Sequence, residues 1–199
     1  MGLSPIALPA EQPVLSTARL RLRRFGAEDA AQVQDLAGDA QVADTTMLIP
    51  HPYPDGAAQA WIAGHADDWA AAKSVTWAIT RSRDGALLGA MALGLRLANR
   101  HAVAGYWVGR VHWGQGVATE SLSAVLAWGF DALGLHRIEA THLQRNPASG
   151  RVMEKAGMRV EGVERESVCK DGRMEDVVLR ALLASDRRPA TAPPATASR

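Results

Sequence analysis

Residues 112–121 read HWGQGVATES, and they hold the chemistry most worth explaining. Gly114 and Gly116 stand one residue apart, Ala118 and Thr119 follow, and an apolar pattern begins at Leu122. A glycine loop that runs straight into a helix makes a seat for phosphate. The first helical turn leaves backbone N–H groups unsatisfied, the macrodipole adds partial positive charge, and glycine lets an anion approach the backbone closely. No lysine follows in the manner of GxxxxGK(S/T), so nucleoside-triphosphate hydrolysis is not expected. Against the dinucleotide pattern G-x-G-x-x-G, the run Gly114-Gln115-Gly116-Val117-Ala118-Thr119 ends in threonine, so that fingerprint is incomplete. A tight strand-to-helix turn with no ligand would also call for these glycines.

The surrounding pattern says what must position the loop. Alternation in Arg19–Phe25 predicts a strand with one buried face, and the period changes to helical over Ala27–Leu36. Gly38-Asp39 reads as a turn, and LIPHPYPDG (48–56) must be a loop because of its prolines. A helix is expected at Ala57–Ala71. Strands are expected at Val75–Thr80, Leu87–Leu97 and Ala102–Val108, the first two joined through Arg83-Asp84-Gly85. The glycine segment opens a helix from about Ala118 to Leu133, with Gly134 as its stop. Arg137–Leu143 is a strand. Asn146 and Pro147 suit the N-cap and first position of a short helix closed by Gly157. Met158–Val168 and Glu175–Leu183 form a last hairpin through Lys170-Asp171-Gly172. Most neighbours are strand to strand, so the sheet is largely antiparallel. A parallel pair is expected only around the glycine segment.

Composition bounds the function. The chain has 199 residues, 47% of them apolar, which suits one domain with a sizeable core. We expect a flexible tail at 1–13, a domain at 14–185, and a Pro/Ala/Thr-rich flexible tail at 186–199. With 22 basic and 21 acidic residues the formal net charge is +1, so charge argues for neither a nucleic-acid nor a membrane partner. Cys169 is the single cysteine, which excludes an intrachain disulfide and fits a reducing, cytoplasmic compartment. His51, His65, His101 and His112 lack metal-ligand spacing, and no metal is expected. No apolar run approaches the ~20 residues of a membrane span, and MGLSPIALPAEQP lacks the build of a secretory signal.

Read from Trp113, the loop is x-x-x-G-x-A. It resembles the pyrophosphate loop of the GCN5-related N-acetyltransferases (GNAT), usually (Q/R)-x-x-G-x-(G/A). The resemblance runs from about Leu15 to Leu183 through ordered blocks: LSTARLRLRRF, WAITRSRDGALLGAMAL, GYWVGRVHWGQGVATESL, LGLHRIEA, NPASGRVMEKAGM and DGRMEDVVLRALL. It is strongest toward the RimJ/RimL type, which acetylates N-termini of ribosomal proteins. The resemblance implies an α+β (mixed α/β) GNAT fold. Its mostly antiparallel, seven-stranded sheet would splay between the fourth and fifth strands, flanked by about four helices. It implies acetyl-CoA as cosubstrate in that wedge, held by Trp107, Val108, Trp113, Gly114, Gln115, Gly116, Val117, Ala118, Thr119, Asn146 and Arg151. Trp113 departs from the usual Gln or Arg, so the backbone N–H groups carry the anion.

The implied activity is direct transfer of an acetyl group to a primary amine, on a protein N-terminus or a small molecule. That needs a neutral amine, a donor for the developing oxyanion and help for the departing thiolate. The resemblance assigns the oxyanion to an N–H near Val108 and the sulfur to Ser149. Many relatives use a tyrosine on the fourth helix instead. This chain has Tyr53 and Tyr106, and neither is expected near that helix. Relatives offer a base as a glutamate at places held here by Val103 and Val168. The remaining base candidates are Glu166, His142 and Glu164. His51 and Tyr53, in the proline-rich loop, are expected to border the acceptor. A homodimer is a reasonable expectation for the fold. Two other classes fit parts of the sequence: a non-catalytic acyl-CoA sensor, and a nucleotide-dependent oxidoreductase built on the strand, glycine loop, helix and Glu139. The sequence does not name the acceptor.

Overall fold

The computed structural model describes residues 6–187. Eight strands form one sheet in the order β1-β2-β3-β4-β5-β6-β8-β7. They are β1 (Leu15–Ser16), β2 (Leu20–Arg23), β3 (Ser74–Arg81), β4 (Leu87–Arg96), β5 (His101–Val108), β6 (Arg137–Leu143), β7 (Arg159–Lys170) and β8 (Arg173–Leu183). Five α-helices accompany them: α1 (Ala30–Ala37), α2 (Ala40–Thr45), α3 (Ala57–Ala70), α4 (Val117–Asp131) and α5 (Pro147–Lys155). β5 and β6 pair in parallel, and the other neighbours are antiparallel.

Two counts need correction. The eighth strand is β1, whose two residues are too short to show an alternation, and it pairs with β2 through Leu15–Leu22 and Ser16–Arg21. The additional helix is α2, where a plain turn was expected. Asp39 Oδ1 accepts from Gln41 N–H at 2.8 Å, so the aspartate starts a helix instead of merely turning the chain. The described residues contain one parallel pair and no doubly wound sheet, which removes the dinucleotide-oxidoreductase reading.

The pleat sends alternate side chains to opposite faces, and here both faces are covered. On one face Trp77, Ile79, Met91 and Leu93 pack with Leu122, Val125 and Leu126 of α4. On the other Ala78, Leu87 and Ala90 pack with Phe25, Val33 and Ala58, beneath α1 and α3. Gln12 and Pro13 already belong to this body: Gln12 Nε2 donates to Thr76 O at 2.9 Å, and Trp77 Nε1 donates to Pro13 O at 2.8 Å. Residues 1–5 and 188–199 of the expected tails lie outside the described residues. Asp171 and Gly172, both at positive φ, make the tight turn between β7 and β8, as the Asp-Gly pair predicts.

Candidate active site

The site begins where β5 and β6 part. They pair from His101–Arg137 to Ala104–Ala140, yet β5 continues to Val108 and β6 to Leu143 with no further pairing. The first turn of α5 lies over the gap. Ser149 meets Tyr106 of β5, and Gly150 meets His142 of β6. A Cβ on Gly150 would sit 2.8 Å from His142 Nε2, so a glycine lets helix and strand come this close. Antiparallel pairing then decides which backbone groups β5 exposes. Gly109 N–H donates to Leu88 O, so in the same register Trp107 bonds to β4. Tyr106 and Val108 turn their N–H and C=O groups away from β4, toward the side that β6 has left. Trp113 Nε1 donates to Val108 O at 2.6 Å, which uses that carbonyl and leaves the Val108 N–H.

A cleft of about 370 Å³ fills the gap. One side is made by Trp113, Gly114, Gly116, Val117, Ala118 and Thr119 of the glycine loop and the start of α4. Gly114 (φ 73°) and Gly116 (φ 79°) are both left-handed, a conformation that strains other residues. Gly116 is the N-cap of α4, and no side chain caps that end. The N–H groups of the first turn therefore remain for a ligand. A diphosphate fits this seat: bare amides, a helix N-terminus, and open space where a Cβ at Gly114 would point.

The opposite wall comes from α2 and α5. Asn146 Oδ1 accepts from Ser149 N–H at 3.2 Å, as the capping pattern requires, and Asn146 Nδ2 donates to Thr45 O at 3.1 Å. Arg145 Nη2 donates to Asp44 O at 2.8 Å, so the end of α2 is tied to the start of α5. Val42, Thr45 and Thr46 thereby reach the cleft. Arg151 and Lys155, one turn apart on α5, bring positive charge to it.

Tyr106 overturns one expectation. Its hydroxyl lies 2.8 Å from Ser149 Oγ and 3.3 Å from Ser149 O, so a tyrosine does reach α5, from a strand. Burial pushes its pKa up to about 12, against the lowering effects of the Ser149 hydrogen bond and the Arg180 charge. The phenol therefore keeps its proton at neutral pH. His112 also lines the cleft, and burial, with the nearby Arg81 charge, holds its pKa below the ordinary imidazole value.

Of the expected cofactor residues, Trp107, Val108, Trp113, Gly114, Gly116, Val117, Ala118, Thr119, Asn146 and Arg151 line the cleft, and so does Ser149. Gln115 does not: its side chain donates to Val111 O and its carbonyl accepts from Arg19. Other expected members lie elsewhere. His142 is buried beneath α5, its Nδ1 2.9 Å from Leu143 O. Glu166 is exposed in an irregular stretch of β7 at φ 51°, its N–H donating to Asp176. Glu164 is exposed on β7. His51 Nδ1 lies 3.2 Å from Gly38 O, and Tyr53 packs on the apolar layer under α1 and α3. Sequence reasoning placed the Tyr106–Val108 backbone beside the cofactor but missed the Tyr106 hydroxyl, Val42, Thr45, Thr46 and His112. The Tyr106 hydroxyl carried no signal, because its partner lies 43 residues away.

A family model described as "Acetyltransferase (GNAT) domain" matches residues 19–159. The chain belongs to this family. It is 39% identical over 110 residues to the probable N-acetyltransferase YjcK of Bacillus subtilis (strain 168), covering 54% of this chain and 61% of YjcK. To the uncharacterized N-acetyltransferase YnaD of the same strain it is 30% identical over 171 residues, covering 85% of this chain and 96% of YnaD. A third relative is the ribosomal protein uS5-alanine N-acetyltransferase of Escherichia coli (strain K12), at 32% over 85 residues, or 43% and 44% of the two chains. The matched stretches span 61%, 42% and 48% of three of the curated relatives. Among solved structures, Mycobacterium smegmatis RimJ in complex with CoA-disulfide is similar at a TM-score of 0.76 and 28% identity, over 84% of this chain and 83% of that one. A GNAT-family acetyltransferase from Bacillus anthracis shares the fold at a TM-score of 0.78 and 24% identity, over 87% and 99%. Among the described residues no helix is long and apolar enough to cross a membrane, and no cluster of potential metal ligands occurs.

Proposed function

We propose that this protein transfers the acetyl group of acetyl-CoA to a primary amine, with the α-amine of a protein N-terminus as the favoured acceptor. The observation that carries this reading is the opening between β5 and β6. It joins free main-chain groups, the uncapped start of α4 and the Tyr106–Ser149 pair in one cleft. Acetyl-CoA supplies a thioester carbonyl open to attack and a thiolate that leaves. The chain's own part is to hold that donor and manage protons around it. The amides of Gly116 to Thr119 hold the diphosphate, with Arg151 and Lys155 near the remaining phosphate. The Val108 N–H faces the thioester carbonyl.

Ser149 presents its hydroxyl to the sulfur. Tyr106 stands behind it at hydrogen-bond distance; either hydroxyl can donate, and when the phenol donates to Ser149 Oγ the serine hydrogen is free to point to the sulfur. A phenol at about 12 is a weaker acid than a thiol near ~8.5, so the pair works by hydrogen bonding and leaves net proton delivery to water.

The lining supports this acceptor class. No aspartate or glutamate lines the cleft among the described residues. A lysine ammonium, near ~10.4, needs a strong base to become neutral, whereas an α-amine near ~8 is already partly neutral. The name of the Escherichia coli relative points to the same acceptor class.

The test is calorimetric titration with acetyl-CoA, followed by thiol release with an amine panel. Peptides with free N-termini, blocked peptides containing lysine, free amino acids and polyamines make up the panel. Absence of binding at high micromolar acetyl-CoA ends the donor reading. Turnover confined to lysines or polyamines ends the α-amine reading.

A further inference from the structure

Arg19, just before β2, reaches the glycine loop from outside the motif. Its Nη1 donates to Gln115 O at 3.1 Å. Its Nε donates to Glu120 Oε2 at 2.8 Å, and its Nη2 lies 2.6 Å from the same oxygen. Glu120 in turn accepts from the Arg19 main-chain N–H at 3.1 Å and from Thr17 Oγ1 at 2.5 Å. One guanidinium thus bridges a carbonyl of the loop and a carboxylate in the first turn of α4.

Two consequences bear on an anion. The peptide joining Gln115 and Gly116 is planar and trans, so its C=O and N–H point in opposite directions. Holding the Gln115 carbonyl on one side fixes the Gly116 N–H on the other, and Gly116 lines the cleft. Glu120 would otherwise place a negative charge in the turn that must receive phosphate, against the purpose of a helix N-terminus. Burial raises its pKa, but hydrogen bonds from Thr17 and Arg19 outweigh that and hold it below the usual carboxylate range. It is ionised, and Arg19 is the cation against it.

We propose that Arg19 is a positioning residue for the donor's diphosphate: it aims the Gly116 N–H into the cleft and neutralises Glu120 beside it. The Arg19–Glu120 pair is then neutral, and the loop amides are left to carry the anion. The assignment rests on the acetyl-CoA reading above. It is separable from a plain clamp between β2 and α4, because a clamp serves every donor alike while this role concerns only donors that carry the diphosphate.

The experiment compares acetyl-CoA with S-acetylpantetheine, which has the thioester arm without diphosphate or nucleotide, by calorimetric titration of wild type, Arg19→Met and Arg19→Lys. Arg19→Met should weaken acetyl-CoA about tenfold and leave S-acetylpantetheine within about twofold. Arg19→Lys keeps the charge against Glu120 but not the forked reach to Gln115 O, so about a threefold loss is expected, again for acetyl-CoA alone. If Arg19→Met does not fold, the same ratio is read from Arg19→Lys. Equal losses for the two donors, or no loss for either, overturn the assignment. A wild-type chain that binds neither donor removes the donor reading instead.

Discussion

The β5–β6 pair has two unlike ends. Where the strands begin, the backbone is paired from His101–Arg137 to Ala104–Ala140, and charge is dense. Arg137 Nη2 lies 2.9 Å from Glu139 Oε2 and 2.5 Å from Glu161 Oε2, while His101 Nε2 lies 3.1 Å from Glu139 Oε2. Where the strands end, the ladder stops, and the contact across the gap is made through α5 by Tyr106 and Ser149. The same two strands are a fastening at one end and a receptacle at the other. A sheet that pairs to its last residue uses its backbone groups internally. One that stops early must satisfy them with water or a ligand, and so gains a binding site.

Four perturbations test that contrast. The largest effect belongs to Gly116→Val, at the open end. A β-branched residue at φ 79° is strained, and its Cβ would sit 3.2 Å from Arg19 Nη2. Acetyl-CoA affinity should fall by at least about a hundredfold in a calorimetric titration. Unchanged affinity would remove the phosphate seat from the open end.

Next come Ser149→Ala and Tyr106→Phe. Each should lower kcat about tenfold to a hundredfold with little change in the KM for acetyl-CoA, and the double variant should be little worse than the poorer single one. Fully additive losses would mean that the two hydroxyls act separately, despite their 2.8 Å approach.

Arg137→Met, at the closed end, should do the reverse. With Arg137 24% and Glu139 17% exposed, solvent screens the network, so a loss of about 1 kcal/mol and a melting temperature lower by about 2–4 °C are expected. Its kcat/KM should stay at the wild-type value, and a large loss there would couple the two ends.

The smallest effect calibrates pH. His65 lies between Phe25 and Trp61, away from both ends, and burial lowers its pKa, with Asp68 opposing. The folded state then binds fewer protons than the unfolded one. Its contribution is complete above the ordinary imidazole value near ~6.5 and is lost as pH falls below it. Melting curves from pH 7.5 to 5 should show a shallower acid decline for His65→Leu than for wild type. An identical decline would assign the acid sensitivity to other groups.

Features that depend on near neighbours were legible in the residues. Gly114 and Gly116 read as a tight turn before a helix, and both take the left-handed backbone that few other residues accept. Asn146-Pro147 read as a helix start because the cap bond spans three residues. The alternation of β2 and the Asp-Gly turn are of the same kind. The short strand β1 and the six-residue helix α2 were too brief to announce themselves by periodicity.

The sequence by itself determined most of the sheet-and-helix order, the glycine loop before α4 and the place of Ser149 on α5. Tertiary structure alone decided that Tyr106 stands behind that serine, that Arg19 grips the loop from 96 residues away, and that Glu166, His142, His51 and Tyr53 stay outside the cleft. Local conformation follows from sterics and hydrogen bonds within a few residues. Which distant side chains meet depends on strand register and on where pairing between β5 and β6 stops, and both are set by packing across the whole sheet.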